Sequence, residues 1–254
     1  MLRTLVIANQ KGGIGKSTAA ANIGRALSEK GKRVLLVDLD PQGGLSASFD
    51  VSSFEVKRST YSLLMNPATP LAKILRPVAH FLALLPASLD LSTAEVVLAT
   101  KPDGVTRLRD ALSRLTLPFD FILIDTPPTL GVLTANGLTA ASELLIPIQC
   151  QYLAMRGVNS LIQTVERLQN TGLNPDLKLT GVFATMYHPG SEHSREAVEE
   201  MRAVFGEQMF STLIEYDPLV GEAPAAGIPL LDYAPDHPIS QSYRSLAEEI
   251  LQNG

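Results

Sequence analysis

The chain has 254 residues, 45% hydrophobic and 19% charged, which suits one soluble α/β domain that buries roughly 70–75% of its unfolded surface without staples. The single cysteine, Cys150, excludes an internal disulfide and fits a reducing cytoplasm. A net charge of −5 excludes a general attraction to DNA or anionic lipid, so any such binding needs a local patch.

The opening "MLRTLVIAN" is too short for a signal peptide, and no apolar run approaches the roughly 18 residues of a membrane span. "RTLVIA" instead predicts a buried first strand, followed by a helix from about Lys16 to Lys30 that Gly31 ends as a C-cap. "RVLLVDLD" (33–40) is apolar on both faces, like a strand of a parallel sheet covered by helices. The stretch 41–80, with four serines from 45 to 53 and three prolines from 67 to 77, is the least regular and predicts a mobile surface. "FLALLPAS" (81–88) predicts the next strand, and Ser92 and Glu95 have capping-box spacing in "STAEVVLA". A helix near 105–116, the strand "FDFILID" (119–125), a helix near 130–140 and the strand "ELLIPIQC" (143–150) continue the alternation. Helix 154–171, strand "LKLTGVFA" (177–184) and helix 194–205 follow. The last helix opens with Pro238 and sets Ile239, Tyr243, Leu246 and Ile250 on one face. Such alternation predicts one domain over 1–254: a doubly wound, mostly parallel sheet with helices on both faces.

"ANQKGGIGKSTAAANIG" (8–24) lies between the first strand and the first helix, the context a phosphate-binding loop requires. Gly12, Gly13 and Gly15 let backbone N–H groups, with that of Ile14, turn toward phosphate oxygens, and the helix N-terminus adds a favourable dipole. Lys16 is the residue to reach the β- and γ-phosphates, the Ser17 hydroxyl to ligate Mg²⁺, and Thr18 to donate one more hydrogen bond. Two features depart from the ordinary pattern G-x-x-x-x-G-K-[ST]. Gln10 stands where its first glycine belongs, and a second lysine, Lys11, sits inside the loop.

Asp125 closes "FDFILIDTPP". Four apolar residues and then an acid form the Walker B pattern, which holds Mg²⁺ directly or through water; a strand-end aspartate alternatively caps the next helix. "LLVDLDPQGG" ends a second strand with Asp38 and Asp40, two apart and so on one side of the strand or of the turn after it. Either acid is placed to order an attacking water.

From about residue 3 to 250 the chain resembles the ParA/Soj partition ATPases, the deviant Walker A branch of P-loop proteins. The resemblance is carried by "KGGIGKST", "VLLVDLDPQGG", "LLPASLDL", "FILIDTPPTLGVLTANGL", "IPIQCQYLAMRG" and "GEAPAAGIPLLDY". It implies an ATPase that forms an ATP-dependent homodimer and hydrolyses slowly when a ParB-like partner stimulates it. The work implied is segregation or positioning of a chromosome, plasmid or other large cargo in the cytoplasm, on the nucleoid where DNA is the track. Lys11 is implied to cross a nucleotide sandwich to the phosphates of the other subunit. A cation from each side would neutralise charge that two ATP-bearing faces set against each other. The resemblance casts Lys11, Lys16 and Asp40 as catalytic, Ser17 and Asp125 as Mg²⁺ ligands, and Asp217 as close to the adenine.

It also implies non-specific DNA binding through surface arginines, and there the sequence departs: Gly190 and Leu219 stand where the family usually shows arginine. Phosphate contacts supply essentially all non-specific affinity, so losing two per subunit predicts weak binding, mainly at low salt. Arg156, Lys178, Arg195, Arg202 and Arg244 read equally as an alternative patch or as solvated faces paired with nearby glutamates. His188 and His193 have no cysteine nearby and do not read as a metal site. Cys150 reads as a small core residue. Tyr61, Tyr152, Tyr187 and Tyr216 are too scattered for a base-stacking platform.

Other classes share the scaffold. Lys11 disfavours an ATP-dependent ligase like dethiobiotin synthetase, and the acidic "SYRSLAEEILQNG" disfavours a membrane-bound MinD-like regulator. One cysteine is too few for a relative of the nitrogenase iron protein. A protein partner in place of DNA as the track stays open.

Overall fold

Short apolar runs form the strands of one sheet in the computed structural model, which describes residues 2–66, 68–151 and 156–253. The strands are β1 (Arg3–Ile7), β2 (Val34–Asp38), β3 (Arg76–Ala79), β4 (Leu82–Leu85), β5 (Phe121–Asp125), β6 (Glu143–Gln149), β7 (Lys178–Tyr187) and β8 (Met209–Glu215). Their order is β3-β4-β2-β5-β1-β6-β7-β8. Every pairing is parallel except β3 with β4.

The helices are α1 (Lys16–Glu29), α2 (Gly44–Ala47), α3 (Thr60–Met65), α4 (Leu91–Ala99), α5 (Arg107–Leu112) and α6 (Val132–Ala140), then α7 (Arg156–Asn170), α8 (Glu192–Phe205), α9 (Leu219–Ala225), α10 (Leu230–Tyr233) and α11 (Pro238–Gln252). Because side chains alternate along a strand, each central strand feeds two cores. Val6, Leu35, Val37, Ile122, Ile124, Leu144 and Ile146 pack on the face that carries α4 to α8. Leu5, Ile7, Leu36, Leu123 and Leu145 pack on the face that carries α1 and α11. The predicted stripe of α11 is there: Ile239, Tyr243, Leu246 and Ile250 are all buried, each apolar side chain contributing about 1.5–3 kcal/mol. Gly31 ends α1 at φ 75°, with Lys32 N–H returning to the Leu27 carbonyl at 3.1 Å.

Several expectations are corrected. The stretch 41–80 is not a loose surface, since Leu45, Leu63, Leu64, Leu71 and Ile74 are core residues. Its serines bond inside the protein: Ser46 to Asp38, Ser48 to the Gly44 carbonyl at 3.1 Å, and Ser59 to Ser88 at 2.9 Å. Pro77 lies in the edge strand β3, where a missing N–H is tolerated. The capping box at Ser92 is absent: α4 starts at Leu91, and Glu95 accepts a hydrogen bond from Leu133 N–H at 3.3 Å. Its charge serves the N-terminus of α6 instead, because Gly131 at that helix's N-cap has no side chain to do so. β3 and β8 were unforeseen edge strands with weak alternation. The beginning of the helix expected from 154 lies outside the described residues.

Candidate functional site

The cavity sits at the C-terminal ends of the central strands, where doubly wound sheets hold their ligands. Beyond β1 the chain is anchored by buried Asn9, whose Nδ2 donates to the Pro147 carbonyl at 2.7 Å and whose Oδ1 accepts from Lys11 N–H at 3.1 Å. The loop then needs left-handed backbone at Gly13 (φ 70°) and Gly15 (φ 87°), a conformation glycine adopts without strain. Gly15 is the N-cap of α1. The first intrahelical bond runs from Ala19 N–H to the Gly15 carbonyl at 2.8 Å, which leaves the N–H groups of Lys16, Ser17 and Thr18 free at the helix N-terminus.

These residues line an open cavity of about 420 Å³, which Asp40 and the chain from Ile214 to Pro218 also line. Gly12, Gly13, Ile14, Gly15, Lys16, Ser17, Thr18 and Asp217, all expected from the sequence, meet there. Lys11 does not line it. Its exposed ammonium reaches Gln151 Oε1 at 3.0 Å, while Lys16 is buried and donates to the Lys11 carbonyl at 3.1 Å. Burial lowers the Lys16 pKa, and the charges of Asp125 and Asp40 oppose that shift.

The three carboxylates separate by environment. Asp38 is buried and accepts from the Ser46 hydroxyl at 2.6 Å, Ser46 N–H at 2.8 Å and Asp40 N–H at 3.1 Å. Burial still pushes its pKa up to about 7. Asp40, half-buried in the turn beyond β2, accepts from Gln42 N–H at 2.9 Å and lines the cavity. Of the two acids that end β2, only Asp40 reaches the site. Asp125 is buried, and among the described residues neither of its oxygens is hydrogen-bonded. Burial, then the charge of Asp38, raises its pKa well above the carboxylate range; Ser17 adjoins it and opposes that shift, without a hydrogen bond of full geometry. It caps no helix, since α6 begins after Gly131.

An orphaned buried carboxylate beside a hydroxyl, with a buried ammonium and free helix N–H groups, fits a phosphate-bound divalent cation that takes few protein oxygens. Among the described residues no group of three or more His, Cys, Asp or Glu forms a protein cage. His188 instead lies 4.9 Å from Tyr216, ring to ring, and His193 sits beside Glu196.

Asp217 accepts from Leu219 N–H at 2.9 Å and lies 3.7 Å from His237 Nε2. Sequence reasoning missed Asn9, Tyr243 and Thr185, a buried hydroxyl near the end of β7 with no partner among the described residues. The strand-end rule used for Asp125 would have pointed to Thr185 as well.

Of the alternative basic patch, Arg244 and Lys178 do not join Arg195 and Arg202. Arg244 is held by Glu29 at 2.8 Å and the Pro235 carbonyl at 2.7 Å, not by its own helix. Glu248 pairs with Lys30, and Glu249 accepts from the β8 N–H groups of Ser211 and Thr212. Lys178 starts β7, at the sheet edge opposite the cavity. Arg195 and Arg202 are exposed on α8, and the side chains of Arg156 and Tyr152 lie outside the described residues. Cys150 is buried, and burial pushes its thiol up to about 11. Among the described residues no helix is long and apolar enough to cross a membrane.

Residues 2–179 match a family model described as an AAA domain. The chain is 41% identical to the chromosome-partitioning ATPase Soj of Treponema pallidum, over 99% of this chain and 98% of that one. It is 40% identical to the chromosome partitioning protein ParA of Caulobacter vibrioides, over 98% and 94%. Among solved structures it is similar to cobyrinic acid a,c-diamide synthase from Mycobacterium smegmatis with bound ADP and magnesium, with a TM-score of 0.85, 38% identity, and 99% and 95% coverage.

Proposed function

We propose, from the premise that this chain belongs to the ParA/Soj family of partition ATPases, that it is an ATP-dependent dimerising switch. It segregates or positions a chromosome, plasmid or other large cargo, and a ParB-like partner stimulates its slow hydrolysis. It works in the cytoplasm, on the nucleoid where DNA is the track. The observation that carries this reading is the division between the two lysines: Lys16 is buried in the cavity, while Lys11 is exposed outside it.

Backbone N–H groups of the loop, with Lys16 and Thr18, would hold the ATP phosphates. Ser17 and Asp125 would hold Mg²⁺, which when bound neutralises charge on the phosphate oxygens. Asp40 would accept a hydrogen bond from the attacking water and hold it in line with the γ-phosphorus. The Lys16 ammonium would favour the charge that develops in transfer; burial works against its charged form, and the charges of Asp125 and Asp40 oppose that. Lys11 is left to reach the phosphates of a second copy, and the chain at Asp217 to wall the base.

Phosphate release from Mg²⁺-ATP, with no small-molecule acceptor present, tests the reading. Slow turnover is expected, falling about 10²–10⁴-fold in Asp40→Ala. Turnover that requires an acceptor would contradict it and favour a ligase.

A further inference from the structure

A basic hollow lies outside the cavity, at the sheet edge that β3 forms. Lys57 and Arg58 from the loop before α3, Lys73 from a 3₁₀ turn (Leu71–Lys73) and Arg76 at the start of β3 line one open depression of about 440 Å³, which Glu55 also lines. All four cations are exposed. Among the described residues none of them makes an ion pair. Glu55 is the sole acid from Val51 to Leu89, so four cations against one carboxylate give this stretch +3 within a chain of net −5.

The backbone beneath them is held firmly. The Thr60 hydroxyl donates to the Asp38 carbonyl at 2.8 Å, and Ser59 is tied to Ser88 at 2.9 Å. Buried Leu71 and Ile74 flank Lys73, and Arg76 pairs with Leu84 across the ladder. β3 runs antiparallel to β4, so Arg76 sits near the C-terminal end of β4, on the sheet edge that carries the cavity.

We propose that this hollow binds the phosphodiester backbone of duplex nucleic acid without regard to sequence. Backbone phosphates need only charge at suitable spacing, which three separate segments supply here. A peptide partner needs an apolar or aromatic anchor, but within the lining Ile74 is turned into the core and Leu75 is half-buried; Phe54, 80% exposed on the same loop, is not part of the lining. The inference rests on DNA as the track of the proposed switch. It supplies cations that Gly190 and Leu219 do not.

The test is a salt titration of ATP-loaded protein on random-sequence duplex, with light scattering on the same samples. Wild type is compared with a variant carrying Lys57→Gln, Arg58→Gln, Lys73→Gln and Arg76→Gln, and with Arg195→Gln/Arg202→Gln. The fourfold variant is expected to bind at least about tenfold more weakly at low salt, with the salt slope shallower by about 0.9 per lost phosphate contact; the α8 variant is expected to match wild type. A fourfold variant with wild-type affinity and slope overturns the inference. So does a wild type that ignores DNA but binds polyglutamate through these four residues. If DNA binding depends on the hollow while ATP produces no dimer, the inference stands and the switch fails.

Discussion

Asp38 and Asp125 are register partners at the ends of β2 and β5, both wholly buried, yet among the described residues only Asp38 has a hydrogen-bonded carboxylate. Ser46 occupies one carboxylate and leaves its neighbour bare. An unpartnered buried polar group costs about 1–3 kcal/mol, more when charged. The fold therefore holds at Asp125 a deficit that a bound cation would remove.

The pair should set the pH dependence of the nucleotide-free protein. The unfolded chain releases an aspartate proton near 3.9, whereas folded Asp38 holds its proton to about 7. The native state then binds more protons than the unfolded state between those values, so Asp38 makes stability fall as pH rises from about 4 to about 7. Asp125 adds to the same trend. Urea midpoints from pH 5 to 8 should show this fall, with a shallower slope in Asp38→Asn. The slope is the readout, because losing the Ser46 bonds lowers stability at every pH. An unchanged slope would contradict the assignment.

Asp125→Asn should separate metal from nucleotide. Calorimetry should find that Mg²⁺ no longer strengthens ATP binding, while Mg²⁺-free binding persists through the loop. The nucleotide-free variant should keep most of the wild-type stability, since among the described residues Asp125 has no hydrogen bond to lose; the cost is the charge it sets near buried Lys16. A large loss of stability would mean that Asp125 has a structural partner after all.

Saturating Mg²⁺-ATP should raise wild-type stability by about 2.7 kcal/mol at a hundredfold excess over Kd. Lys16→Ala should lose most of that shift, read as the change in Tm. A full shift in the variant would remove Lys16 from the phosphate site.

Much of this site was legible because its signals are local. A loop between strand and helix, and acids closing apolar runs, needed no tertiary information to place Lys16, Ser17 and Asp125 at one strand edge. The choice between Asp38 and Asp40 was not legible, because it depends on Ser46, eight residues on and folded back. Glu95 misled for the same reason: its spacing from Ser92 satisfied a local rule, but the distant N-terminus of α6 took its carboxylate. The stretch 41–80 concealed its core role because Ser46, Ser48 and Ser59 bond inward.

Gly190 lies exposed with open space where a Cβ would stand, so Gly190→Arg should fold normally. It should tighten binding of ATP-loaded protein to random-sequence duplex and steepen the salt slope by about 0.9 per new phosphate contact. Leu219→Arg should also cost stability, because Leu219 packs partly buried against the core. An unchanged slope in Gly190→Arg would place this surface away from the DNA.

The account stands or falls on Lys11 and Asp40 acting at different steps, and the most direct measurement is molar mass by light scattering with and without Mg²⁺-ATP. Lys11→Ala should bind ATP, seen as a thermal shift, yet remain a monomer because the cation offered to the second copy is gone. Asp40→Ala should form an ATP-dependent dimer that persists, because hydrolysis no longer dissolves it. A Lys11→Ala protein that dimerises, or an Asp40→Ala protein that binds ATP and stays monomeric, would contradict the sandwich switch.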